Sequence, residues 1–270
     1  MSEITGTTKL FGILADPIHH VKTPQRMNAH FAQLGYDGVL VPMHVRPDAL
    51  PAAFDGLRQL ENLGGLIVTV PHKSAILALC DDASDVARQI GAANVVRREP
   101  SGQMVAHMLD GEGFVGGLRD AGVSLKGKTA YLAGAGGAAS AIAFALAGAG
   151  VARLTIANRT AAKVDDLRRR ILSLYPDAQI ASGADDPSGH DVVINGTSLG
   201  LKAGDELPLD ATKLHPSQLV CEVIMQPVDT PLLVAAGARG CRVHHGLPML
   251  TAQIALMARF LGVGESHSAA

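Results

Sequence analysis

Cysteine is scarce in this chain, and the few cysteines form no recognisable pattern. The 270 residues include three of them, Cys80, Cys221 and Cys241, an odd number at wide spacing. Such spacing favours neither a disulfide framework nor a zinc site. The eleven histidines show no HExxH or comparable ligand spacing either. The sequence therefore predicts no metal site.

The chain also lacks an excess of charge of either sign. Its formal net charge is −2 and its pI is about 6.6. A protein with this balance has no basic surface of the kind that binds nucleic acid, and nothing in it is typical of a membrane-surface protein. We therefore expect neither a nucleic-acid partner nor a membrane partner.

Long uncharged stretches are rare as well. One run, 129–152, contains no charged residue and is long enough to span a bilayer. Five glycines interrupt it, however, so it fits a strand, a turn and a helix better. The N-terminus has an acidic residue before its first basic one and no sustained apolar run. We therefore expect no signal peptide and a cytoplasmic protein.

The composition and element order predict an α/β protein with two domains. Hydrophobic residues make up 47% of the chain and charged ones 18%, and 270 residues suit two domains of ordinary size. In the first hundred residues strands alternate with helices, which indicates a small, mostly parallel sheet. A strand at 39–43 should lie near the sheet edge because Pro42 cannot donate to the ladder. Thr23 should cap a helix that begins at Pro24. A polar, glycine-rich break at 109–114 opens a helix to Ala121 and marks the candidate domain boundary.

The most informative stretch is 129–160, TAYLAGAGGAASAIAFALAGAGVARLTIANRT. It predicts an apolar strand, a glycine turn, a small-residue helix and a second strand, at 130–133, 134–137, 138–147 and 154–157. This order is typical of a nucleotide-binding βαβ unit.

The glycines of this stretch suit a bound diphosphate. Gly134 permits a tight turn from strand to helix, and Gly136 lacks the Cβ that would hold the diphosphate away from the backbone. A helix beginning near Gly137 directs unpaired N–H groups and its positive dipole end at the anion. Ala139 stands where the third glycine of the fingerprint often falls. A purely structural glycine turn is the alternative interpretation.

Basic residues follow the second strand, where an NAD-binding unit usually has an acidic one. The strand leads into Asn158, Arg159 and Thr160, and Lys163 comes one helical turn after Arg159. A guanidinium and an ammonium attract a 2′-phosphate, whereas a carboxylate repels it. The sequence thus favours NADP over NAD, with a solvated basic start to a helix as the alternative.

Several separated segments, in one order along nearly the whole chain, together resemble the shikimate dehydrogenase family. They are DPI at 16–18 with His20 and Pro24, VTVP at 68–71 with Lys73, GAAN at 91–94, DGEG at 110–113, GAGGA at 134–138, NRT at 158–160, TPLL at 230–233 and GLPMLTAQ at 246–253.

The resemblance implies a two-domain enzyme that interconverts 3-dehydroshikimate and shikimate with NADP, a reaction of aromatic amino acid biosynthesis. It implies a mostly parallel αβα domain over 1–109 for substrate binding and catalysis, joined by the C-terminal helix 247–262. It further implies a Rossmann-type dinucleotide-binding domain over 110–246. Substrate and nicotinamide would meet in the cleft between the domains.

The resemblance also assigns roles to individual residues. Lys73 and Asp110 match the family's catalytic pair. The reaction needs such a pair because the carbonyl oxygen gains negative charge as hydride arrives and must receive a proton. Positions that match the substrate site are Val21, Thr23, Thr69, Asn94 and Gln253. Positions that match or lie near the cofactor site are Gly134, Ala135, Gly136, Gly137, Ala138, Asn158, Arg159, Thr160, Lys163, Thr197 and Gly246.

The chain departs from the family pattern at five positions that usually carry polar side chains. They are Val21, Ile67, Met108, Leu109 and Met225. Each lost hydrogen bond to a charged substrate costs about 1.5–3 kcal/mol, so these positions predict weaker binding or an altered ligand. A dehydrogenase of quinate or another substituted cyclic carboxylic acid is thus a second interpretation, and a non-catalytic NADP-binding sensor a third. We expect a monomer or a homodimer.

Overall fold

The structure is a computed structural model, and it describes residues 3–19 and 21–264. His20, which belongs to one of the segments of resemblance, lies outside the described residues. The chain divides into two compact units. The first comprises Met1–Leu109 and Gln253–Ala270, and the second comprises Asp110–Ala252.

The first unit alternates strands with helices. Its strands are β1 (Lys9–Ala15), β2 (Gly38–His44), β3 (Leu63–Val68), β4 (Asp82–Ala83), β5 (Val95–Arg98) and β6 (Met104–His107). Its helices are α1 (Thr23–Leu34), α2 (Leu50–Arg58), α3 (Lys73–Leu79) and α4 (Asp85–Ile90), with a short 3₁₀ helix (Pro47–Ala49) before α2. The last part of the final helix of the chain belongs to this unit as well.

The sheet of the first unit has the strand order β2-β1-β3-β5-β6-β4. β1 is parallel to β2 and to β3, and β4 is parallel to β6, whereas β5 runs antiparallel to both of its neighbours. The expected edge position of the strand that carries Pro42 is confirmed, because β2 lies at the end of the order. Buried apolar side chains, including Leu14, Phe54, Leu66 and Val96, form a core against this sheet.

The second unit also alternates strands with helices. Its strands are β7 (Thr129–Ala133), β8 (Arg153–Ala157), β9 (Ile180–Gly183), β10 (Val192–Asn195), β11 (Leu219–Glu222) and β12 (Arg242–His244). Its helices are α5 (Asp110–Asp120), α6 (Gly137–Gly148), α7 (Ala161–Leu174), α8 (Pro231–Ala238) and the first part of α9 (Leu247–Phe260). A short 3₁₀ helix (Ala211–Lys213) precedes β11.

All neighbouring strands of the second sheet are parallel, in the order β12-β11-β10-β7-β8-β9. From β7 the chain proceeds to β8 and β9 on one side, and then returns to β10, β11 and β12 on the other. The direction in which successive strands are added to the sheet therefore reverses between β7 and β10. In open parallel sheets, ligands bind at such a reversal, beyond the carboxyl ends of the strands.

The helix expected to open within the polar, glycine-rich segment 109–114 is confirmed, because α5 begins at Asp110 and ends at Asp120. Its glycines serve close helix packing. A Cβ on Gly111 would collide with the carbonyl oxygen of Ala141 in α6, and a Cβ on Gly117 would lie 2.9 Å from the carbonyl carbon of Pro248 in α9. A glycine-rich helix can therefore form here because the missing side chains let the backbones approach.

Two sequence expectations about helix starts need correction. Thr23 does not cap α1: it is the first helical residue, Lys22 holds the cap position, and no side chain caps this helix. The sequence pattern over 81–90 predicts a single helix, whereas α4 begins only at Asp85, after the two-residue strand β4. Ser84 caps α4 by accepting a hydrogen bond from the backbone N–H of Ala87 at 3.2 Å. Neither α3 nor β9 was expected from the sequence.

The three cysteines are free thiols. Burial raises the pKa of the Cys80 thiol to about 12 and also raises the pKa of Cys221 and Cys241. Among the described residues, no cluster of histidine, cysteine and carboxylate side chains has the geometry to hold a metal. In the part of the chain that the structure describes, no helix combines the length and apolar character required to cross a membrane.

We predict that Gly117→Ala destabilises the protein. The new Cβ meets the backbone of Pro248 and Met249 at 2.9–3.1 Å, and helix backbones cannot shift as cheaply as side chains. We expect a loss of about 1–3 kcal/mol in the free energy of unfolding, measured as a lower Tm by circular dichroism.

Gly237→Ala is the matched control for this prediction. Gly237 is an exposed residue of α8, and a Cβ there meets nothing within 4 Å. Alanine is the better helix former, so this variant should gain about 0.5–1 kcal/mol. Equal Tm values for the two variants would contradict the packing role of Gly117.

Candidate functional site

The glycine turn after β7 has the shape that a dinucleotide needs. Gly134 has φ +111°, which disfavours any residue with a side chain. Gly136 is the N-cap of α6 and is exposed, and a Cβ on it would meet no protein atom within 4 Å. The space in front of this backbone is thus open, and the first N–H groups of α6 point into it. The residues present therefore fit the diphosphate of a dinucleotide.

The loop after β10 lies against this turn. A Cβ on Gly134 would be 3.1 Å from Cγ2 of Thr197 and 3.2 Å from the carbonyl group of Gly196. A Cβ on Gly196 would in turn be 2.9 Å from Cβ of Ala139. The structure thus brings Thr197 to the glycine turn, at the reversal of the strand order, and Ala139 packs where the fingerprint has its third glycine.

The basic group after β8 is exposed. Arg159 and Lys163 lie on the surface, and neither forms an ion pair with a carboxylate of the described residues. Thr160 is the N-cap of α7, and the side-chain amide of Asn158 donates to its carbonyl oxygen at 3.1 Å. Two cations at a helix N-terminus oppose the helix dipole, so their placement is costly without an anion to bind.

Two further residues, which no sequence motif indicated, lie at the carboxyl edge of the second sheet. Asn195 and Glu222 end β10 and β11, are 0% exposed, and form a hydrogen bond of 3.0 Å between Asn195 Nδ2 and a Glu222 carboxylate oxygen. The available signal was a polar residue closing each apolar strand, VVIN and LVCE. Nearby, Gly246 is buried against the carbonyl oxygen of Ile224, where a Cβ would collide.

Polar residues of the first unit gather at the carboxyl ends of β1 and β3. Thr69 follows β3, and its backbone N–H donates to the carbonyl of Leu14 at 3.0 Å. Lys73 begins α3 just beyond, is half-buried, and its carbonyl accepts from the N–H of Ala93 at 2.8 Å. Asn94 joins the same edge, because its carbonyl accepts from the N–H of Val68 at 2.9 Å.

The side chain of Asn94 is held on both sides. It is 1% exposed, its Oδ1 accepts from the backbone N–H of Leu109 at 2.8 Å, and its Nδ2 donates to Oε1 of Gln253 at 3.4 Å. Gln253 is 3% exposed and comes from α9. The first unit therefore unites Thr69, Lys73, Asn94 and Gln253, which are far apart in the sequence.

The loop after β1 leaves the sheet at this same edge. Its Asp16 N–H donates to the carbonyl of Val70 at 3.1 Å, which ties it to the segment after β3. Val21 is half-buried, and Thr23 is 7% exposed in the first turn of α1.

Asp110 belongs to the second unit, where it is the first residue of α5 and is 3% exposed. A carboxylate at this position is favoured by the helix dipole. The contact of Gly111 with the backbone of Ala141 places this end of α5 against α6. The position of Asp110 within the second unit is thus set by helix packing.

The five apolar departures from the family pattern are mostly core residues. Ile67, Met108 and Leu109 are 2%, 1% and 3% exposed, and Val21 and Met225 are half-buried. Leu109 still supplies a polar contact through its backbone N–H to Asn94. The structure therefore shows these side chains packed as apolar residues.

The two α/β units, one of which carries an open glycine turn and a basic helix start, define this protein's class as a dinucleotide-dependent enzyme. Family models match both parts of the chain: the shikimate dehydrogenase substrate binding domain at residues 13–96 and shikimate/quinate 5-dehydrogenase at residues 118–199. The shikimate dehydrogenase (NADP⁺) of Rubrobacter xylanophilus is 40% identical over 93% of this chain and 89% of its own.

Solved structures agree with this match. The shikimate 5-dehydrogenase of Thermus thermophilus, in complex with NADP(H) and shikimate, has a TM-score of 0.84 at 30% identity, covering 94% of this chain and 93% of that one. The ligand-free 5-ketofructose reductase of a Gluconobacter species has a TM-score of 0.82 at 33% identity, covering 94% and 92%. The chain belongs to the shikimate dehydrogenase family.

Proposed function

We propose that this chain is an NADP-dependent dehydrogenase that interconverts 3-dehydroshikimate and shikimate. The observation that carries the proposal is the gathering of Thr69, Lys73, Asn94 and Gln253 in one unit of a family member whose other unit has an open glycine turn. The first unit then binds the cyclic hydroxy acid, and the second binds the dinucleotide.

Lys73 and Asp110 are the proposed proton-exchanging pair. NADPH, when bound, supplies the hydride. As the carbonyl carbon of the substrate is reduced, its oxygen becomes negative, and the Lys73 ammonium stabilises that charge and donates a proton. The Asp110 carboxylate favours the protonated lysine before the transfer. In the oxidative direction the two groups take the proton back from the hydroxyl.

The proposed cofactor site uses the whole carboxyl edge of β7, β8 and β10. Backbone N–H groups of 134–138 and the N-terminus of α6 hold the diphosphate. Arg159 and Lys163 bind the 2′-phosphate, with Asn158 and Thr160 shaping the loop that presents them. We place Thr197 and Gly246 near the bound cofactor.

The proposed substrate site binds ring hydroxyls and a carboxylate through side-chain hydrogen bonds. Thr69, Asn94 and Gln253 supply most of the polar atoms, and Thr23 adds one hydroxyl from the loop after β1. Val21 contributes only apolar contact. The net charge of −2 supports a small-molecule partner and no nucleic-acid partner. We also propose that the protein is cytoplasmic and is a monomer or a homodimer.

A second candidate function is oxidation of quinate or another substituted cyclic carboxylic acid. It is favoured by the apolar side chains of Ile67, Met108 and Leu109, which are nearly fully buried and cannot hydrogen-bond a substrate. A non-catalytic NADP-binding sensor is disfavoured, because a sensor has no need of the Lys73 ammonium.

The substrate is tested with purified protein, NADP⁺ or NAD⁺, and a panel of shikimate, quinate and fructose, followed by nicotinamide absorbance at neutral pH. Fructose is included because 5-ketofructose reductase shares this fold at 33% identity. We expect the highest kcat/KM with shikimate and NADP⁺. Turnover of quinate alone would support the second candidate, and no turnover of either cyclic acid would overturn both.

We predict that Lys73→Ala lowers kcat by about two to four orders of magnitude, because it removes the general acid. The Kd for NADPH, measured by fluorescence titration, should change by less than about twofold, since the cofactor binds the other unit. Lys9→Ala, at an exposed lysine that begins β1, is the control and should leave kcat unchanged. Comparable losses in kcat and in cofactor affinity would refute the assigned role of Lys73.

We predict that Arg159→Ala raises the KM for NADP⁺ by about tenfold to a hundredfold, the effect of losing a hydrogen bond between charged groups. The KM for NAD⁺ should not change, because NAD⁺ has no 2′-phosphate. Arg168→Ala, at an exposed arginine of α7, is the matched control. An unaltered preference for NADP⁺ over NAD⁺ would show that Arg159 does not bind the 2′-phosphate.

A further inference from the structure

A buried carboxylate lies at the carboxyl edge of the second sheet, and the proposed mechanism does not use it. One oxygen of Glu222 accepts hydrogen bonds from Asn195 Nδ2 at 3.0 Å and from the Thr230 hydroxyl at 2.9 Å. The other oxygen accepts from the backbone N–H groups of Val223 at 2.9 Å and Ile224 at 3.1 Å. The side chain is 0% exposed.

This environment suits an ionised carboxylate. Three of the four partners are N–H groups, which only donate, so a side-chain amide at this position would direct a hydrogen at one of them. Burial raises the pKa of Glu222, and the hydrogen bonds oppose that rise because each is stronger to the anion. The observed set of hydrogen bonds therefore favours the negatively charged form of Glu222.

Asn195 passes this geometry to the loop after β10. Its Oδ1 accepts from the backbone N–H of Thr197 at 3.0 Å and from the Thr197 hydroxyl at 2.7 Å. Its Nδ2 donates to the carbonyl of Leu199 at 3.0 Å and to Glu222. Because a backbone N–H only donates and a carbonyl only accepts, the amide of Asn195 has a single workable orientation. Glu222 must then accept from it.

The loop held in this way forms one side of the candidate nucleotide site. Its Thr197 and Gly196 lie within about van der Waals contact of Gly134, across the reversal between β7 and β10. The same carboxylate also holds the backbone at Ile224, whose carbonyl contacts Gly246. Two segments that border the proposed cofactor site thus depend on one charge.

We propose that Glu222 is a positioning residue for the cofactor: acting through Asn195, its charge holds the loop 196–200 in the conformation that binds NADP. The identity of the cofactor rests on the proposed function. Glu222 itself touches no reacting atom, so its effect appears in cofactor affinity.

The test compares Glu222→Gln with Glu222→Asp. Glutamine has the shape of glutamate without the charge, and its amide group must face a donor. Aspartate keeps the charge but is one methylene shorter. We expect the Gln variant to raise the Kd for NADPH by about tenfold to a hundredfold, and the Asp variant to raise it less. An Asp variant as weak as the Gln variant, or weaker, would overturn the role of the charge.

The Kd is measured from the fluorescence of NADPH on titration with protein, which is straightforward because the chain has no tryptophan. At saturating NADP⁺, the KM for the cyclic acid should stay within about twofold of the wild type. Wild-type NADPH affinity in Glu222→Gln would overturn the proposal. So would a parallel loss of cofactor and substrate affinity, which indicates general unfolding.

Gln218→Ala is the matched control at the opposite end of the same strand. Gln218 precedes β11, is 2% exposed, and donates to the carbonyls of Pro187 at 2.9 Å and His190 at 2.8 Å. We expect this variant to lower Tm without a change in the Kd for NADPH. Weaker NADPH binding in the control would show that any buried lesion has the same effect, and would overturn the proposal.

If Glu222→Gln does not fold, Thr230→Val provides a milder change. It removes one of the four donors and leaves the carboxylate in place. We expect a Kd for NADPH about two to five times that of the wild type, and an unchanged Kd contradicts the proposal.

Because NADPH binding is measured without turnover, the proposed activity and the proposed role of Glu222 can be refuted independently. Absence of turnover with intact NADPH binding overturns only the proposed activity, and normal turnover with unaltered binding in Glu222→Gln overturns only this inference.

Discussion

The second unit depends on the close approach of backbones where β7, β10 and α6 meet. Gly134 and Gly196 have no side chains there, and Ala139 has only a methyl group, so the loops after both strands and the start of α6 share a space that larger residues would fill. This contact brings the first N–H groups of α6 to the carboxyl edge of the sheet. The packing therefore gives this edge the unpaired donors and partial positive charge of a helix N-terminus, an environment that favours an anion.

In the first unit, strand direction gathers polar groups at one edge of the sheet. β5 is antiparallel to β3, so the residue before it, Asn94, lies at the edge where β1 and β3 end. Parallel strands alone would have put the amino end of a strand on the opposite side. The reversed strand thus adds an amide to the hydroxyl of Thr69 and the ammonium of Lys73. Backbone hydrogen bonds to Leu14, Ala93 and Val68 then keep the segments in register.

Sequence patterns predicted the α/β class and most elements of both sheets, because apolar strands and helix periodicity are local signals. Local signals do not explain why α5 tolerates the four glycines in DGEGFVGG. The close contacts of Gly111 and Gly117 with α6 and α9, which no local pattern reveals, stabilise the helix. The prediction that Thr23 caps α1 was wrong, because cap preference is statistical and the helix begins one residue earlier than the preference suggests.

By itself, the sequence determined the glycine turn after β7, the basic residues after β8 and the family, because glycine spacing, charge and ordered motifs are written along the chain. Only the tertiary structure decided which distant residues meet. It joined Asn94 to Gln253 and Leu109, and Glu222 to Asn195 and Thr230, across gaps that no spacing rule spans. The physical reason is that hydrogen bonds at a sheet edge depend on strand order and direction, which are properties of the folded sheet.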